Sequence, residues 1–328
     1  MIVVTGGAGF IGSNLVAGLE QAGAGDIVVV DRLGRDDKWR NIAKRGLADI
    51  IRPEALALFL AANAGAIDTI FHMGAISATT ERDVDLIVEE NVRATLDLWA
   101  FCRDRGVRLI YASSAATYGD GSAGFEDDAD RQSLARLRPL NPYGWSKHVV
   151  DRRLTMLAAE GRPTPPQWAG LKFFNVYGPN EYHKGDMRSV IAKITPDLAR
   201  GAPARLFRSY HPGYADGGQM RDFVHVDDCV AVMLWLWRNP SVSGLFNVGS
   251  GEARSWNDLA AAIFAALGRT PVIDYIEMPE TLRDRYQYFT QASMTKLRQA
   301  GYDRPFRSLE DGIAGYVQNH LLADDPYR

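Results

Sequence analysis

Short apolar runs alternate with longer helical patterns through the first half of this 328-residue chain. Of all its sequence features, this alternation limits most strongly the folds that the chain can adopt. Most of these runs are continuously apolar, as is typical of parallel strands that helices cover on both faces. The predicted strands are Ile2–Thr5, Asp26–Asp31, Thr69–Met73, Arg108–Ser113 and Leu171–Val176. The predicted helices are Gly12–Ala22, Pro53–Ala62, Val84–Arg105 and Pro142–Glu160. This order predicts an α/β fold built on a doubly wound parallel sheet, of the Rossmann type.

The second half of the chain is less regular, with loops rich in Gly and Pro. Four helices are predicted there, near Ser189–Arg200, Val226–Arg238, Trp256–Leu267 and Leu309–Leu321. The apolar run Leu245–Val248 is expected to rejoin the main sheet. We therefore expect one domain over residues 1–175 with a return segment at 222–250, and a smaller, interleaved domain over residues 176–328.

Charge and composition exclude several classes of protein. With 37 Lys and Arg against 40 Asp and Glu, the net charge is −3, and no long basic run favours nucleic acid as a partner. The longest apolar stretches, such as Cys229–Trp237, are far shorter than the roughly 18 residues that cross a bilayer. Cys102 and Cys229 cannot form a disulfide framework, and the six His form no metal-ligand pattern. With no signal peptide ahead of the first strand, we expect a cytoplasmic protein without membrane association or structural metal.

Three glycines follow the first strand and open the first helix. Gly6, Gly9 and Gly12 allow a tight turn and a close backbone approach to a pyrophosphate, which the free N–H groups of a helix N-terminus also favour. Asp31 closes the second strand 19 residues after Gly12, where a carboxylate can bind an adenosine ribose. The turn and the acid together predict a dinucleotide site, and the alternative is a Gly-rich turn without a ligand.

The residues after the second strand leave the choice of dinucleotide open. Asp31 alone favours NAD, because its charge repels a 2′-phosphate. Arg32, Arg35 and Lys38 follow at once and could neutralise such a phosphate. The alternative is that this stretch is only a solvated charged loop.

A tyrosine and a lysine lie four residues apart near the start of the helix predicted from Pro142. Tyr143 and Lys147 therefore share one helix face, and a nearby positive charge favours the phenolate of a tyrosine whose reference pKa is about 10. Ser114, at the carboxyl end of a central strand, could orient the reacting oxygen toward Tyr143. These groups suit proton transfer coupled to hydride transfer, although Tyr143 and Lys147 could also be an ordinary surface pair.

Three stretches together resemble the extended short-chain dehydrogenase/reductase superfamily, and in particular its members that modify nucleotide sugars. They are TGGAGFIG at Thr5–Gly12, SSAATYG at Ser113–Gly119 and YGWSK at Tyr143–Lys147. The resemblance assigns Ser114, Tyr143 and Lys147 to catalysis, and it implies that the cofactor also contacts further residues along the chain. Those residues are Phe10, Ile11, Arg32, Lys38, Asp49, Met73, Gly74, Ala75, Asn91 and Val176.

Three other stretches resemble the ADP-L-glycero-D-manno-heptose 6-epimerase family, namely Phe174–Gly185, Arg221–Val224 and Arg285–Gln291. The resemblance implies inversion of C6 of the heptose through a 6-keto intermediate, with hydride taken up and returned by NADP, as a step toward lipopolysaccharide. Ala115 and Ala116 replace the acidic pair of dehydratases and argue against water loss. Lys184 matches the family's second acid/base group, opposite Tyr143, although a lysine considered alone is more often a solvated surface residue.

The same resemblance implies the substrate contacts and the assembly. The implied contacts are Ser114, Asn175, Asp186, Lys193, Leu206, Phe207, Arg208, Ser209, Arg221 and Tyr286. Asp186 and Lys193 stand where relatives often have serine and histidine. The family's preference favours NADP, with NAD as the alternative, and suggests a homo-oligomer, in particular a pentamer. The alternative functions are another nucleotide-sugar 4-epimerase or reductase, and a catalytically silent protein that senses NADP.

Overall fold

A large parallel sheet organises the chain in the computed structural model, which describes residues 1–283 and 286–328. The strands are β1 (Ile2–Thr5), β2 (Ile27–Val30), β3 (Asp49–Ile51), β4 (Thr69–His72), β5 (Arg108–Ser114), β6 (Trp168–Phe173), β7 (Asn175–Tyr177), β8 (Ala204–Phe207), β9 (Met220–His225), β10 (Gly244–Val248), β11 (Ala253–Ser255) and β12 (Ile273–Ile276). Seven of them form the large sheet in the order β10-β6-β5-β4-β1-β2-β3, and every neighbouring pair is parallel. The predicted doubly wound fold is confirmed.

Helices cover both faces of this sheet. In chain order, the α-helices of the described residues are α1 (Phe10–Gln21), α2 (Leu56–Asn63), α3 (Val84–Ile87), α4 (Ala94–Arg105), α5 (Arg131–Arg136), α6 (Pro142–Ala159), α7 (Val190–Ala199), α8 (Val226–Arg238), α9 (Trp256–Ala266), α10 (Glu280–Arg283), α11 (Thr295–Gln299) and α12 (Leu309–Tyr316), of which α1, α4, α6 and α8 pack on the sheet. Alternate residues of β1 enter different clusters: Val4 packs with residues of α1 and α8, whereas Val3 packs with residues of α4 and α6. Buried on both sides, these strands have no polar face, which explains their continuous apolar sequence.

A smaller layer of structure follows the large sheet. The strands β11, β9 and β7 form a second sheet, β8 pairs with β12, and α7, α9 and α12 enclose a third apolar cluster. The predicted return of Leu245–Val248 to the main sheet is confirmed, because β10 pairs with β6. The domain limits at residues 175 and 176 stay a prediction. No helix within the described residues is long and apolar enough to cross a bilayer.

Two predicted elements differ in the structure. The predicted strand Leu171–Val176 is wrong as a single element, because the chain turns at Phe174, whose N–H donates to the carbonyl of Val248 at 3.0 Å. Asn175 therefore begins β7, which pairs with β9 in the second sheet. The predicted helix Val84–Arg105 contains a π-helical segment, Val88–Arg93. Such segments often mark functional sites, and this one holds Asn91.

Candidate active site

A cleft of about 1360 Å³ lies at the carboxyl ends of the central strands. This volume exceeds the roughly 300–1,000 Å³ of a typical small-molecule pocket, so there is room for a dinucleotide and a second ligand. The predicted site residues that line it are Gly6, Gly9, Phe10, Ile11, Gly12, Asp31, Lys38, Met73, Gly74, Ala75, Ser114, Tyr143, Lys147, Asn175, Val176 and Lys184. Residues that are far apart in the sequence thus share one cavity.

The glycine turn forms one end of the cleft and fits a dinucleotide. Gly6 has a φ of +64°, and a Cβ added to Gly12 would overlap the carbonyl oxygen of Gly6, so a side chain there would break the turn. Gly9 is the N-cap of α1 and supplies no side chain to bind the first amides of the helix. The N-terminus of α1 can therefore receive a pyrophosphate.

The polar residues after β2 are already bonded to one another. The Asp31 carboxylate accepts from the N–H groups of Ala8 and Arg32, and the Lys38 ammonium lies 2.6 Å from its Oδ1. The Arg32 guanidinium points elsewhere, to the carboxylates of Glu54 and Glu90. Lys38 thus lines the cleft and Arg32 does not. Of the three candidate cations Arg32, Arg35 and Lys38, only Lys38 lines the cleft, and it has the best placement for a phosphate.

Tyr143 and Lys147 reach the cleft from the first turns of α6. The Asn141 side chain caps this helix by accepting from the N–H of Gly144 at 2.8 Å, and Pro142 occupies its first position. Burial raises the pKa of the Tyr143 phenol, while a hydrogen bond with Ser114 acts in the opposite direction. Burial also lowers the pKa of Lys147 to about 8, against the opposing charge of Asp151. In the free protein, Tyr143 is therefore protonated at neutral pH, and Lys147 remains mostly charged there although its pKa is lowered.

A buried ion pair lies beneath these residues. The Asp151 carboxylate accepts from Lys172 Nζ at 2.7 Å, Ser113 Oγ at 2.6 Å and Tyr111 Oη at 3.1 Å. Both charged side chains are completely buried. Asp151 lies one helical turn beyond Lys147, so the ion pair ties α6 to β6, and the bonds from Ser113 and Tyr111 tie it to the end of β5 that carries Ser114.

Lys184 lies in a loop that the rest of the protein holds firmly. Its ammonium is 5.3 Å from the centre of the Phe10 ring, beside the glycine turn. Burial lowers the pKa of Lys184, and the charge of Glu181 opposes this shift. Glu181 is itself buried, and its carboxylate accepts from the N–H and hydroxyl of Ser189 and from the hydroxyl of Tyr316. These hydrogen bonds hold the loop in place, and Lys184 lines the cleft.

Arg221 lies outside the lining of the cleft, and it has no acidic partner among the described residues. Only 8% exposed, it donates to the carbonyl of Met220, and its guanidinium lies 5.2 Å from the Tyr286 ring and 6.0 Å from the Trp256 ring. Burial lowers its pKa, so an anion beside it would be stabilising. Trp256 lines the cleft, so Arg221 lies directly next to the lining without being part of it.

The remaining predicted residues do not line the cleft as the structure has it. Arg32, Asp49, Asn91, Asp186, Lys193, Leu206, Phe207, Arg208, Ser209, Arg221 and Tyr286 lie outside its lining. The amide of Asn91 is buried and bonded to the backbone of Ile76 and the hydroxyl of Ser146, so it joins the segment after β4 to α6. Arg208 is paired with Asp216 and Glu277 at the surface. Arg285, within the third family-like stretch, lies outside the described residues.

The sequence reasoning missed some residues of the lining. His183 lines the cleft beside Lys184, and Gln287 and Thr290 close its far wall. All three lie within stretches that already resembled a known family, so their neighbourhood was a usable signal. Thr79–Arg82, which also line the cleft, carry no recognisable pattern.

Comparison with known proteins agrees with this geometry. Residues 2–249 match the model of the NAD dependent epimerase/dehydratase family, and the chain belongs to that family. It is 54% identical over 329 residues to the ADP-L-glycero-D-manno-heptose-6-epimerase of Nitratidesulfovibrio vulgaris strain DP4, and 46% identical to that of Fusobacterium nucleatum, with both chains covered completely in each case. Within the family, the chain therefore belongs with the ADP-L-glycero-D-manno-heptose-6-epimerases.

Solved structures of epimerases have the same fold at lower sequence identity. The ADP-L-glycero-D-manno-heptose-6-epimerase of Helicobacter pylori superposes with a TM-score of 0.75 at 28% identity, covering 97% of this chain and 95% of that one. The UDP-glucose 4-epimerase of Thermus thermophilus, solved with NAD, also has a TM-score of 0.75, at 26% identity over 98% and 99% of the two chains. The fold and its nicotinamide cofactor are thus those of the epimerases.

Proposed function

We propose that this protein inverts C6 of ADP-D-glycero-D-manno-heptose to give ADP-L-glycero-D-manno-heptose, a precursor of lipopolysaccharide, with NADP as its cofactor. The observation that carries the proposal is the single cleft in which the glycine turn, Tyr143, Lys147 and Lys184 meet. The full-length identity to enzymes named for this reaction supports the choice of sugar.

The residues of the cleft fit the cofactor, and different residues would bind the cofactor, orient the substrate and transfer the proton. The glycine turn and Lys38 would hold the phosphates, and Lys147 would hold the nicotinamide ribose. A nicotinamide held there would supply the acceptor and the donor of the hydride of C6. Ser114 orients the oxygen on C6, and Tyr143 takes or gives its proton. Because burial raises the pKa of Tyr143, the positive charges of Lys147 and of the nicotinamide are needed to make it a base.

Inversion needs proton transfer in two orientations of the sugar. Oxidation makes C6 planar, and the returned hydride must reach the opposite face, so the C6 oxygen is presented differently in the two epimers. We assign one orientation to Tyr143 and the other to Lys184. Burial lowers the pKa of Lys184, which makes its ammonium a better proton donor than that of an exposed lysine. Arg221 would bind the diphosphate, for which a planar guanidinium is well shaped.

The proposal is tested by product analysis. Purified protein is incubated with ADP-D-glycero-D-manno-heptose, UDP-glucose or GDP-mannose, and products are identified by NMR. Conversion of the ADP-heptose alone is expected. Turnover of a UDP- or GDP-hexose in its place would favour a 4-epimerase or a reductase, and no turnover of any of them would favour an NADP-sensing protein.

Lys184 has its own test. Lys184→Ala is expected to slow interconversion in both directions while the protein still binds NADP, because neither epimer can complete the cycle with one proton-transfer group. Lys44→Ala removes a lysine that is bonded to the backbone of Tyr327 and is absent from the cleft lining, so it serves as the control. Full rates for Lys184→Ala in both directions would remove the two-base scheme.

We also propose a cytoplasmic homo-oligomer, in particular a pentamer. Cys102 and Cys229 are free and buried, which suits a reducing compartment. Light scattering during size-exclusion chromatography should give a mass near five times the 36.2 kDa of the chain. A monomeric mass would contradict this assembly.

A further inference from the structure

One corner of the cleft contains a histidine that the proposed reaction does not use. His183 lines the cavity together with Asp31, Lys38 and Lys184. These residues come from two separated parts of the chain, the loop after β2 and the loop after β7. Their convergence brings a histidine and two lysines to the part of the cleft that holds the Asp31 carboxylate.

The orientation of the His183 ring follows from its neighbour Asn41. The Asn41 amide nitrogen lies 2.8 Å from the carbonyl oxygen of Ala8 and 3.1 Å from Nδ1 of His183. A carbonyl oxygen only accepts, so the NH₂ group of Asn41 must face Ala8, and its second hydrogen then points at Nδ1. Nδ1 is therefore an acceptor, and the proton of the neutral ring is on Nε2.

The Nε2–H of His183 is thus a donor that nothing else uses: among the residues that the structure describes, no group accepts from it. Burial lowers the pKa of His183, and the charges of Lys38 and Lys184 act in the same direction, while Asp36 and Asp31 oppose them. The ring stays neutral in the free protein, in agreement with the orientation that Asn41 imposes.

Hydrogen bonds through Asn41 and Ala8 connect His183 to Asp31, the predicted ribose-binding acid. The N–H of Ala8 donates to Asp31 Oδ2 at 2.9 Å, while Lys38 Nζ contacts Oδ1 of the same carboxylate. A carboxylate at this position of the fold binds the adenosine ribose hydroxyls. A phosphate on the 2′-oxygen would therefore lie beside Asp31, where Lys38 alone cannot balance a dianion.

We propose that His183 is a ligand of the 2′-phosphate of NADP, donating from Nε2 beside Lys38, and that Asn41 is the positioning residue that fixes its ring. The proposal rests on the proposed preference for NADP. It also explains how the protein could accept a 2′-phosphate next to Asp31 although Arg32 is bonded to Glu54 and Glu90.

The test compares the two cofactors in the same protein. Dissociation constants for NADP and NAD are measured by calorimetry on full-length protein freed of cofactor, for the wild type, His183→Ala, His183→Gln and Arg32→Gln. A hydrogen bond to a charged group corresponds to about tenfold in affinity. His183→Ala should therefore lose about tenfold for NADP with NAD unchanged. His183→Gln, which keeps an N–H donor, should lose less, and Arg32→Gln should keep the NADP-to-NAD ratio.

The outcomes separate this inference from the proposed cofactor. A wild type that binds both cofactors equally would overturn the NADP preference and the role of His183 together. A wild type that prefers NADP, with His183→Ala keeping the same ratio, would overturn the role of His183 alone. Equal losses for both cofactors would place His183 at the shared pyrophosphate and would also contradict the proposal. Circular dichroism melts identify a variant that is misfolded, in which case His183→Gln decides.

Discussion

Replacing Lys172 with methionine should destabilise the fold far more than loss of an average ion pair. The Lys172 ammonium donates to Thr117 Oγ1 at 2.8 Å and to Asp151 Oδ2 at 2.7 Å, and both charged side chains are completely buried. In Lys172→Met, the Asp151 carboxylate keeps only the neutral donors of Ser113 and Tyr111. Breaking a buried pair from one side costs about 3–5 kcal/mol, because the remaining charge is uncompensated.

The assay is urea unfolding at neutral pH, followed by circular dichroism, for Lys172→Met, Asp151→Asn and the double variant. We expect the double variant to recover part of the loss, with a coupling of about 2 kcal/mol or more. Arg200→Met is the matched control, because its partner Asp197 and the arginine itself are mostly exposed, and such pairs contribute about 0–1 kcal/mol. A loss below about 1 kcal/mol for Lys172→Met, or strictly additive effects, would refute the reasoning.

Four further outcomes follow, three from the site and one from a buried histidine of β4. Tyr143→Phe should lower kcat by about 10²-fold or more with NADP still bound, as general acid–base catalysis allows, and near-normal turnover would contradict its role. Arg221→Leu should raise KM for the ADP-sugar by about tenfold or more through the lost charged contact, whereas an unchanged KM would remove it from the diphosphate site. Gly12→Ala should abolish cofactor binding in calorimetry, because its Cβ would overlap the backbone oxygen of Gly6; retained affinity would mean that the turn adapts. Burial lowers the pKa of His72 from 6.5 to about 3, so its contribution to stability is complete above about pH 6.5 and is lost as the pH falls toward 3; His72→Gln should flatten the fall of unfolding free energy between pH 6.5 and 5, and an unchanged slope would count against this.

The central strands of the main sheet could be predicted because each buried strand is recognisable from its own residues. Ile2–Thr5 was predicted residue for residue, since a buried parallel strand must be continuously apolar and the glycine turn marks its end. β3, at Asp49–Ile51, carried no such signal, because it is a short edge strand whose first two residues are exposed. The break at Phe174 was equally hidden, since Phe173 and Phe174 are both apolar and only pairing with β9 or β10 decides between two sheets.

The site was predictable where a motif places side chains on one element. Tyr143 and Lys147 share a helix face, so their proximity follows from the sequence alone. The orientation of Arg32 does not, because it depends on Glu54 and Glu90, which approach from other elements. The partners of the Asn91 amide, Ile76 and Ser146, also approach from other parts of the chain, so the sequence indicates an important amide without showing which groups bond to it.

The most direct test of the proposed chemistry follows a deuterium label placed on C6 of ADP-D-glycero-D-manno-heptose. The substrate is incubated with the protein in ordinary water, and the L-epimer is analysed by NMR and mass spectrometry. If the hydride leaves C6 and returns to it within the same cleft, the product keeps its deuterium at C6. Loss of the label to solvent during inversion would show that C6 is deprotonated instead, and the account of Tyr143 and the nicotinamide would be wrong.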